Sequence, residues 1–454
     1  MKILIIGAGE VGFHIANRLS SENKNVVVVD KNPDALRRVT EYTDVQTVVG
    51  SGSSPAVLEE AGIKGAEIIL AVTDSDETNL VACLTADILS PSTKKLARVR
   101  NADFDPYHEV FREKAPHIDT VINPEIEVVK TIQRLISVSG AVEVEDLADG
   151  RLKLVGLRLD SSSALNGQRL SEVSVKTGDS NFLVAAIVRN EKMIVPRGDS
   201  RLMANDLVYF ISEKEKLANS LNLFGKPLQP VKRVMIVGGG RVGTRLAMRL
   251  EQEDIKVKIL ESNPDRCAQL AEKMTRAVVL HGDGSDQELL REENIADMDV
   301  VASLTNDEQT NILISLLAKR LGAANTITKI SKFTYIPLMA TIGIEQIISS
   351  RLSAINSILQ HIRKGRVLSA ISLKGEQAEV IEAMALSTSE LVGAPLRKVS
   401  MPKGSLVVGV VRDQEIIVPS GETVIVPNDR VIIFAQRETV PKIEKLLSVK
   451  LEFF

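Results

Sequence analysis

The sequence predicts an α/β protein with two doubly wound parallel-sheet domains, each followed by a small α+β domain. Three observations predict it. Short Val/Ile-rich runs alternate with helical patterns, a Gly-x-Gly-x-x-Gly turn follows the first run of each half, and the chain repeats itself at a nearly constant offset.

The repeat fixes the domain order. At an offset of 231, Ile5-Ile6-Gly7-Ala8-Gly9-Glu10-Val11-Gly12 falls on Ile236-Val237-Gly238-Gly239-Gly240-Arg241-Val242-Gly243. The same offset sets Asp30 on Glu261 and Asn32-Pro33-Asp34 on Asn263-Pro264-Asp265. After one inserted residue, Gly50-Ser51-Gly52-Ser53 matches Gly282-Asp283-Gly284-Ser285, Thr73 matches Thr305, and Thr78-Asn79 matches Thr310-Asn311. A second, smaller repeat pairs Leu165-Asn166-Gly167 with Leu391-Val392-Gly393, and Asn205-Asp206 with Asn428-Asp429, each Asn-Asp leading into an apolar run. The layout is large–small–large–small. Domains are expected at 1–123, 143–227, 228–348 and 367–454, with crossover helices and linkers at 124–142 and 349–366. The boundaries are expected at acidic Glu143–Gly150, turn-rich Phe224-Gly225-Lys226-Pro227 and basic Arg363-Lys364-Gly365-Arg366.

Within the first large unit, KILIIGAG, a helix near 11–22, NVVVVD, a helix near 33–41, VQTVVG, a helix near 54–61 and AEIILAVT follow in order. Such alternation means βαβ units and a parallel sheet covered on both faces. The small units carry short strands between Gly, Pro and Asp turns. Between the lobes, Pro124–Ile136 places Ile126, Val129, Ile132 and Ile136 on one helical stripe. Ile344–Gln360 is expected to do the same with Ile347, Ile348, Leu352, Ile355 and Leu359. Each such helix packs on its own domain or exchanges with a neighbouring half.

Bulk properties bound the function. The 454 residues exceed one ordinary core, and 44% hydrophobic with 25% charged residues is the composition of a folded soluble protein. A formal charge of −3 gives no reason to expect nucleic-acid binding. Cys83 and Cys267 read as small buried hydrophobes in a reducing compartment. No leader precedes the first strand and no apolar run reaches membrane-spanning length, so a cytoplasmic chain is expected, with any membrane role going through a partner.

Both glycine turns follow a strand, open a helix, and precede a second strand that ends in an acid, the first of them 18 residues after Gly12. Gly7 permits the tight turn, Gly9 lets a pyrophosphate approach the backbone, and Gly12 lets the helix pack against the strand. The helix N-terminus offers N–H groups and partial positive charge to phosphates. Asp30 and Glu261 are candidates to grip a ribose, and a carboxylate there favours NAD(H) over NADP(H). Glu10 becomes Arg241 in the second loop, which suits added phosphate charge. Thr73-Asp74 and Thr305-Asn306 follow a strand on the ligand side. Arg98 and its counterpart Lys329 either meet ligand phosphates or form plain salt bridges, Arg98 with Asp74.

A dehydrogenase would need an acid/base and a substrate anchor. None of His14, His108, His117, His281 and His361 recurs between halves, and no Cys/His metal cluster or nucleophile elbow is seen. A binding protein is expected, with an NAD-dependent oxidoreductase as the alternative.

Taken together, the tandem glycine loops, the two acids, Gly282–Ser285 and the small Pro-Gly-Asn-Asp modules resemble the TrkA family of Trk-type potassium uptake regulators, with two RCK (KTN) nucleotide-binding halves. The resemblance covers the whole chain. It implies RCK C-terminal-type small domains and a non-enzymatic regulator that binds NAD(H) and ATP/ADP. It also implies self-assembly, as a dimer of dimers or tetrameric ring, on the inner face of the cell membrane. The implied partner is a potassium-translocating membrane subunit of the TrkH/TrkG type; an RCK-type regulator of a different channel is the alternative. Carried over residue by residue, the ligand contacts are Gly7, Ala8, Gly9, Glu10, Val11, Gly12, Asp30, Thr73, Asp74 and Arg98. In the second half they are Gly238, Gly239, Gly240, Arg241, Val242, Gly243, Glu261, Thr305, Asn306 and Lys329. Ser51 stands where the family usually has the Asp seen here as Asp283, which removes a contact from the first half. Asn306 and Lys329 suit an ATP- or ADP-type ligand in the second half.

Overall fold

The computed structural model describes residues 1–176, 182–332, 335–362, 367–374 and 377–447. The expected basic boundary Arg363–Arg366 lies outside them. The chain forms two compact units, Met1–Val128 with Ser350–Arg363, and Val129–Ser349 with Lys364–Phe454.

In the first unit, β1 (Lys2–Ile6), β2 (Asn25–Asp30), β3 (Gln46–Val49), β4 (Ile68–Ala71), β5 (Lys94–Arg98) and β6 (Thr120–Ile122) make one parallel sheet. Its order is β3-β2-β1-β4-β5-β6. Ile3, Leu4, Ile5 and Ile6 are all buried, as a strand with helices on both faces requires. Strand order reverses between β1 and β4, and the crevice above that switch point is where such sheets bind ligands. The helices begin where the sequence says. Asn32 caps Pro33–Tyr42 by accepting from the Asp34 N–H, and Asn263 caps Pro264–Lys273 by accepting from the Arg266 N–H. In both, Pro at the first helical position explains the repeated Asn-Pro-Asp.

In the second unit, β7 (Glu143–Leu147), β8 (Leu152–Arg158), β9 (Phe182–Arg189), β10 (Lys192–Ile194) and β11 (Leu207–Glu213) form an antiparallel sheet, order β10-β9-β11-β8-β7. The acidic stretch is therefore largely an edge strand, with Val144 and Leu147 facing the core. A second parallel sheet follows: β12 (Arg233–Val237), β13 (Lys256–Glu261), β14 (Val278–His281), β15 (Val300–Ser303), β16 (Thr326–Lys329) and β17 (Gln346–Ile348). Its order, β14-β13-β12-β15-β16-β17, repeats that of the first. Strands β18 (Val367–Leu373), β19 (Ala378–Met384), β20 (Ser405–Arg412), β21 (Glu415–Ile417) and β22 (Arg430–Gln436) repeat the small sheet. The two small sheets share one apolar core, in which Leu154, Val188 and Tyr209 meet Val380, Val408 and Phe434.

The Asn-Asp repeat has a structural reason. Asn205 (φ 68°) and Asn428 (φ 70°) take the left-handed conformation that asparagine tolerates. The buried Asp206 and Asp429 then accept two hydrogen bonds each from Arg189 (2.7 and 2.7 Å) and Arg412 (2.9 and 2.8 Å). Such bidentate pairs fix geometry as well as energy.

One sequence expectation is corrected. Ile347 and Ile348 are not on a helix: Gln346–Ile348 is strand β17, paired with β16, and the helix starts at Ser350. Its buried face is Ala354, Ile355, Ile358, Leu359 and Ile362. Adjacent β-branched residues form a sheet edge with Ile348 buried and Ile347 partly so, a pattern that short apolar runs share with helices.

Of the two packing modes open to the crossover helices, exchange is the one adopted. Helix Ser350–Ile362 follows the second large sheet in sequence yet belongs to the first unit. There it packs on helix Glu10–Ser21 and on β6, and the Lys94 Nζ donates to the His361 carbonyl at 2.9 Å. Conversely, helix Pro124–Ser137 leaves the first unit, and Asn325 and Gln346 of the second donate to Ser139 Oγ and the Ala141 carbonyl (3.0 and 2.6 Å).

Candidate functional site

Two positions in each glycine loop are under backbone constraints that admit only glycine. Gly7 has φ +109° and Gly238 φ +107°. A Cβ on Gly12 would stand 1.8 Å from the Gly7 carbonyl oxygen, and one on Gly243 2.0 Å from that of Gly238. Gly9 and Gly240 have nothing within 4 Å of such a Cβ, so each faces open space at the start of its helix. Val11 and Val242 are buried beneath the loops.

The acids at the ends of β2 and β13 hold these loops in identical fashion. Asp30 accepts from the Ala8 N–H (2.6 Å) through one oxygen and from the Asn32 N–H (2.8 Å) through the other. Glu261 accepts from the Gly239 N–H (2.8 Å) and the Asn263 N–H (2.9 Å). Neither acid is a merely solvated strand end. Each oxygen keeps a second lone pair, so the residue that shapes the loop can also receive a hydroxyl hydrogen bond.

After β4 and β15 a second motif recurs. The Thr73 N–H and hydroxyl both donate to Asn79 Oδ1 (2.9 and 2.7 Å), and Asn79 Nδ2 donates to the Arg98 carbonyl (2.8 Å). Thr305, Asn311 and Lys329 repeat this at 2.9, 2.7 and 3.0 Å. Asn79 and Asn311 are fully buried and tie the β4 and β15 loops to the ends of β5 and β16. Sequence reasoning assigned them no role, although their identity at one offset carried the signal. Asp76 is another such residue: it accepts from the Arg100 and Asn101 N–H groups (2.9 and 2.8 Å).

Arg98 is the unusual group. It ends β5 with 9% exposure, and its Nε has no hydrogen-bond partner among the described residues. Burial holds the guanidinium below its usual pKa, and Arg100 adds repulsion. Asp74 and Asp76 act on it electrostatically in the opposite sense, while the Asp74 backbone carbonyl accepts from Arg100. In the second half Lys329 Nζ lies 3.3 Å from the Thr305 carbonyl and 3.5 Å from Asn306 Oδ1.

The loops differ in charge. Glu10 accepts from Arg38 Nη1 at 2.7 Å, and the Arg38 guanidinium sits 4.2 Å over the Phe13 ring. That hydrogen bond, with Arg351 and His14 nearby, holds the Glu10 carboxyl below the usual carboxylate range. In the second half Arg241 is exposed, and Arg266 donates to the Gly239 carbonyl (2.9 Å) and Thr244 Oγ1 (3.1 Å). Arg266 went unnoticed because Ala35 occupies its place in the first half. Asp283 accepts from the Ser285 N–H and hydroxyl, both at 2.8 Å, which lowers its pKa; Ser51 makes only a 2.8 Å hydroxyl contact with Ser53 and a 3.4 Å one with its N–H.

In the second half some of these groups converge, though Arg241, Arg266 and Lys329 are not among them. Gly238, Gly240, Glu261, Asp283, Thr305 and Asn306 line a cleft of about 380 Å³ at the carboxyl end of the second large sheet. That volume is within the range of small-molecule sites. The thiol of Cys83 is buried and pushed up to about 12, chiefly by desolvation, which fits a packing residue and not a nucleophile.

The TrkA-N domain family matches residues 3–124 and 234–350, and the TrkA-C domain family matches 154–225 and 380–448. The chain is 38% identical over 458 residues to the Trk system potassium uptake protein TrkA of Azorhizobium caulinodans and 38% identical over 458 residues to that of Halomonas elongata; each alignment covers 100% of this chain and 100% of the relative. Among solved structures it is similar to the GsuK channel bound to NAD, with a TM-score of 0.61 at 19% identity, covering 98% of this chain and 78% of that one. GsuK bound to ADP matches with a TM-score of 0.50 at 17% identity, covering 80% and 70%.

Proposed function

The chain belongs to the TrkA family of Trk system potassium uptake proteins, and we propose on that premise that it is a nucleotide-sensing regulatory subunit that gates a membrane potassium-translocating subunit. The observation that carries the sensor reading is Arg98, a cation nine-tenths buried at the carboxyl end of β5, on the same edge of the sheet as the glycine loop, whose Nε lacks a hydrogen-bond partner among the described residues. A buried charge is costly unless something pairs with it, and an anionic ligand is the natural partner at this edge of the sheet.

In this reading NAD(H) occupies the first half, with its pyrophosphate over Gly9 and Arg98 and its adenosine ribose on Asp30. The second half takes ATP or ADP, supported by Arg241 in place of Glu10 and by Arg266 on the loop. That GsuK is known with NAD and with ADP is consistent with both ligand classes. Regulation needs only differential affinity. Turning a mostly closed partner mostly open takes about 5.5 kcal/mol, or roughly 1.4 kcal/mol at each of four equivalent sites in a tetrameric ring. That is about tenfold in affinity, available from one phosphate contact made in a single state.

The chain would act at the inner membrane face, docked on a TrkH- or TrkG-type subunit; among the described residues no helix is long and apolar enough to cross a membrane. Affinity purification of the tagged chain from solubilised membranes is expected to recover a potassium-translocating membrane protein whose flux responds to NADH or ATP. Recovery of a transporter for another ion would favour the different-channel alternative, and recovery of no membrane protein would contradict the regulatory role.

A further inference from the structure

Helix Ser350–Ile362 brings a charge to the first glycine loop from the far end of the second large domain. Arg351, in its first turn, places Nη1 3.9 Å from Glu10 Oε2, while Arg38 holds the other Glu10 oxygen at 2.7 Å. Glu10 is the residue at which the loop becomes helix. Arg351 also lies within electrostatic reach of the buried Arg98. Two arginines thus share one half-exposed carboxylate where the first glycine loop becomes helix.

The internal repeat gives an independent observation. Pairing of β5 with β6 aligns Arg98 with Ile122, and pairing of β16 with β17 aligns Lys329 with Ile348. Three residues beyond those isoleucines stand Glu125 and Arg351. Along the repeat, the counterpart of Glu10 is therefore Arg241 and that of Arg351 is Glu125, each of opposite charge.

We propose that Arg351 is a phosphate-binding residue of the first nucleotide site, supplied by the other half of the chain, and that Glu10 is its counter-ion in the empty state. A nucleoside diphosphate moiety, free or within a dinucleotide, enters the cradle and takes Arg351 from Glu10, because a phosphate offers more charge and more acceptor oxygens than a carboxylate. No covalent bond changes. Occupancy then ties helix Ser350–Ile362 to the first loop, so ligand in the first half restrains the element that terminates the second large domain. This deepens the nucleotide-sensor reading and rests on it.

Hydrogen exchange and calorimetry on the full chain test it, with NADH and ADP as probes. In wild type, ligand is expected to slow amide exchange in both 7–14 and 350–362. Arg351→Gln is expected to weaken binding at the first site about tenfold and to abolish the ligand-dependent protection of 350–362. Protection of 7–14 at saturation is expected to persist. Arg351→Lys should recover part of the affinity, and Glu10→Gln should tighten binding, since the competing carboxylate is gone. A thermal unfolding midpoint matching wild type shows that Arg351→Gln is folded; if it is not, the Lys and Glu10 variants carry the test. Wild-type binding with undiminished protection of 350–362 in the Gln variant, or tighter binding by neither Lys over Gln nor Glu10→Gln, overturns the proposal alone. Failure of wild type to bind either probe overturns the sensor reading with it.

Discussion

Replacing Arg98 with methionine is expected to weaken NAD(H) binding by about a hundredfold while leaving thermal stability unchanged or raised. Most substitutions that abolish binding at a buried position also destabilise, so the combination is diagnostic. The guanidinium is buried to 9% exposure and its Nε is unpartnered among the described residues, so its removal relieves a desolvation cost. Methionine fills similar volume and adapts to irregular space. A charge-assisted contact to phosphate in a dry site is worth about 1.5–3 kcal/mol, which sets the affinity loss. The opposing effects are the nearby carboxylates of Asp74 and Asp76; Asp76, also buried, retains the Arg100 and Asn101 N–H groups. A loss of more than about 2 kcal/mol in stability, with affinity intact, would make Arg98 a structural partner of Asp76 instead.

Asp30→Ala is the second large effect, and here both quantities fall. The carboxylate pins the Ala8 and Asn32 N–H groups, so its loss frees the glycine loop as well as removing the ribose acceptor. Affinity for NADH is expected to drop at least thirtyfold, and stability by about 1–2 kcal/mol, the scale of one or two charge-assisted hydrogen bonds at a half-exposed site. Asp30→Asn separates the roles. One acceptor oxygen remains to hold the loop, whereas the amide nitrogen cannot accept from a sugar hydroxyl. Calorimetry beside thermal unfolding reads both; unchanged affinity in the alanine variant would remove Asp30 from the site.

How much of this was legible in residues alone follows from what each signal depends on. Gly7 and Gly12 are required by local backbone geometry and Gly9 leaves open space at the helix start, so the loop could be read at sight, and the recurrence of Gly238, Gly240 and Gly243 made it certain. Asn32-Pro33 and Asn263-Pro264 are likewise local, cap and first-turn residues of the helices they open. The Asn205-Asp206 repeat was visible, but its cause lay in Arg189, across the sheet from it, and no sequence spacing reveals that partner. Asn79 and Asn311 were seen only as a match, because their work is to bridge two strand ends. Exchange of the crossover helices was one of two packing modes the sequence allowed, and nothing in it chose between them. An apolar stripe of Val129, Ile132 and Ile136 states that one face is buried, without stating against which domain. Arg351 was invisible for the same reason. The run Gln346–Ile348 shows the limit of periodicity, since three residues of strand and one turn of helix present the same apolar letters.

The central claim is that two duplicated cradles hold adenine nucleotides without transforming them. The most direct measurement is a titration of the purified full chain with NADH, ADP and ATP, followed by prolonged incubation of the NADH complex with a panel of oxidised metabolites. The account predicts saturable binding of at least one nucleotide in each half and a reduced-nicotinamide absorbance that stays constant. Indifference to all three nucleotides, or steady oxidation of NADH by any metabolite, would contradict it.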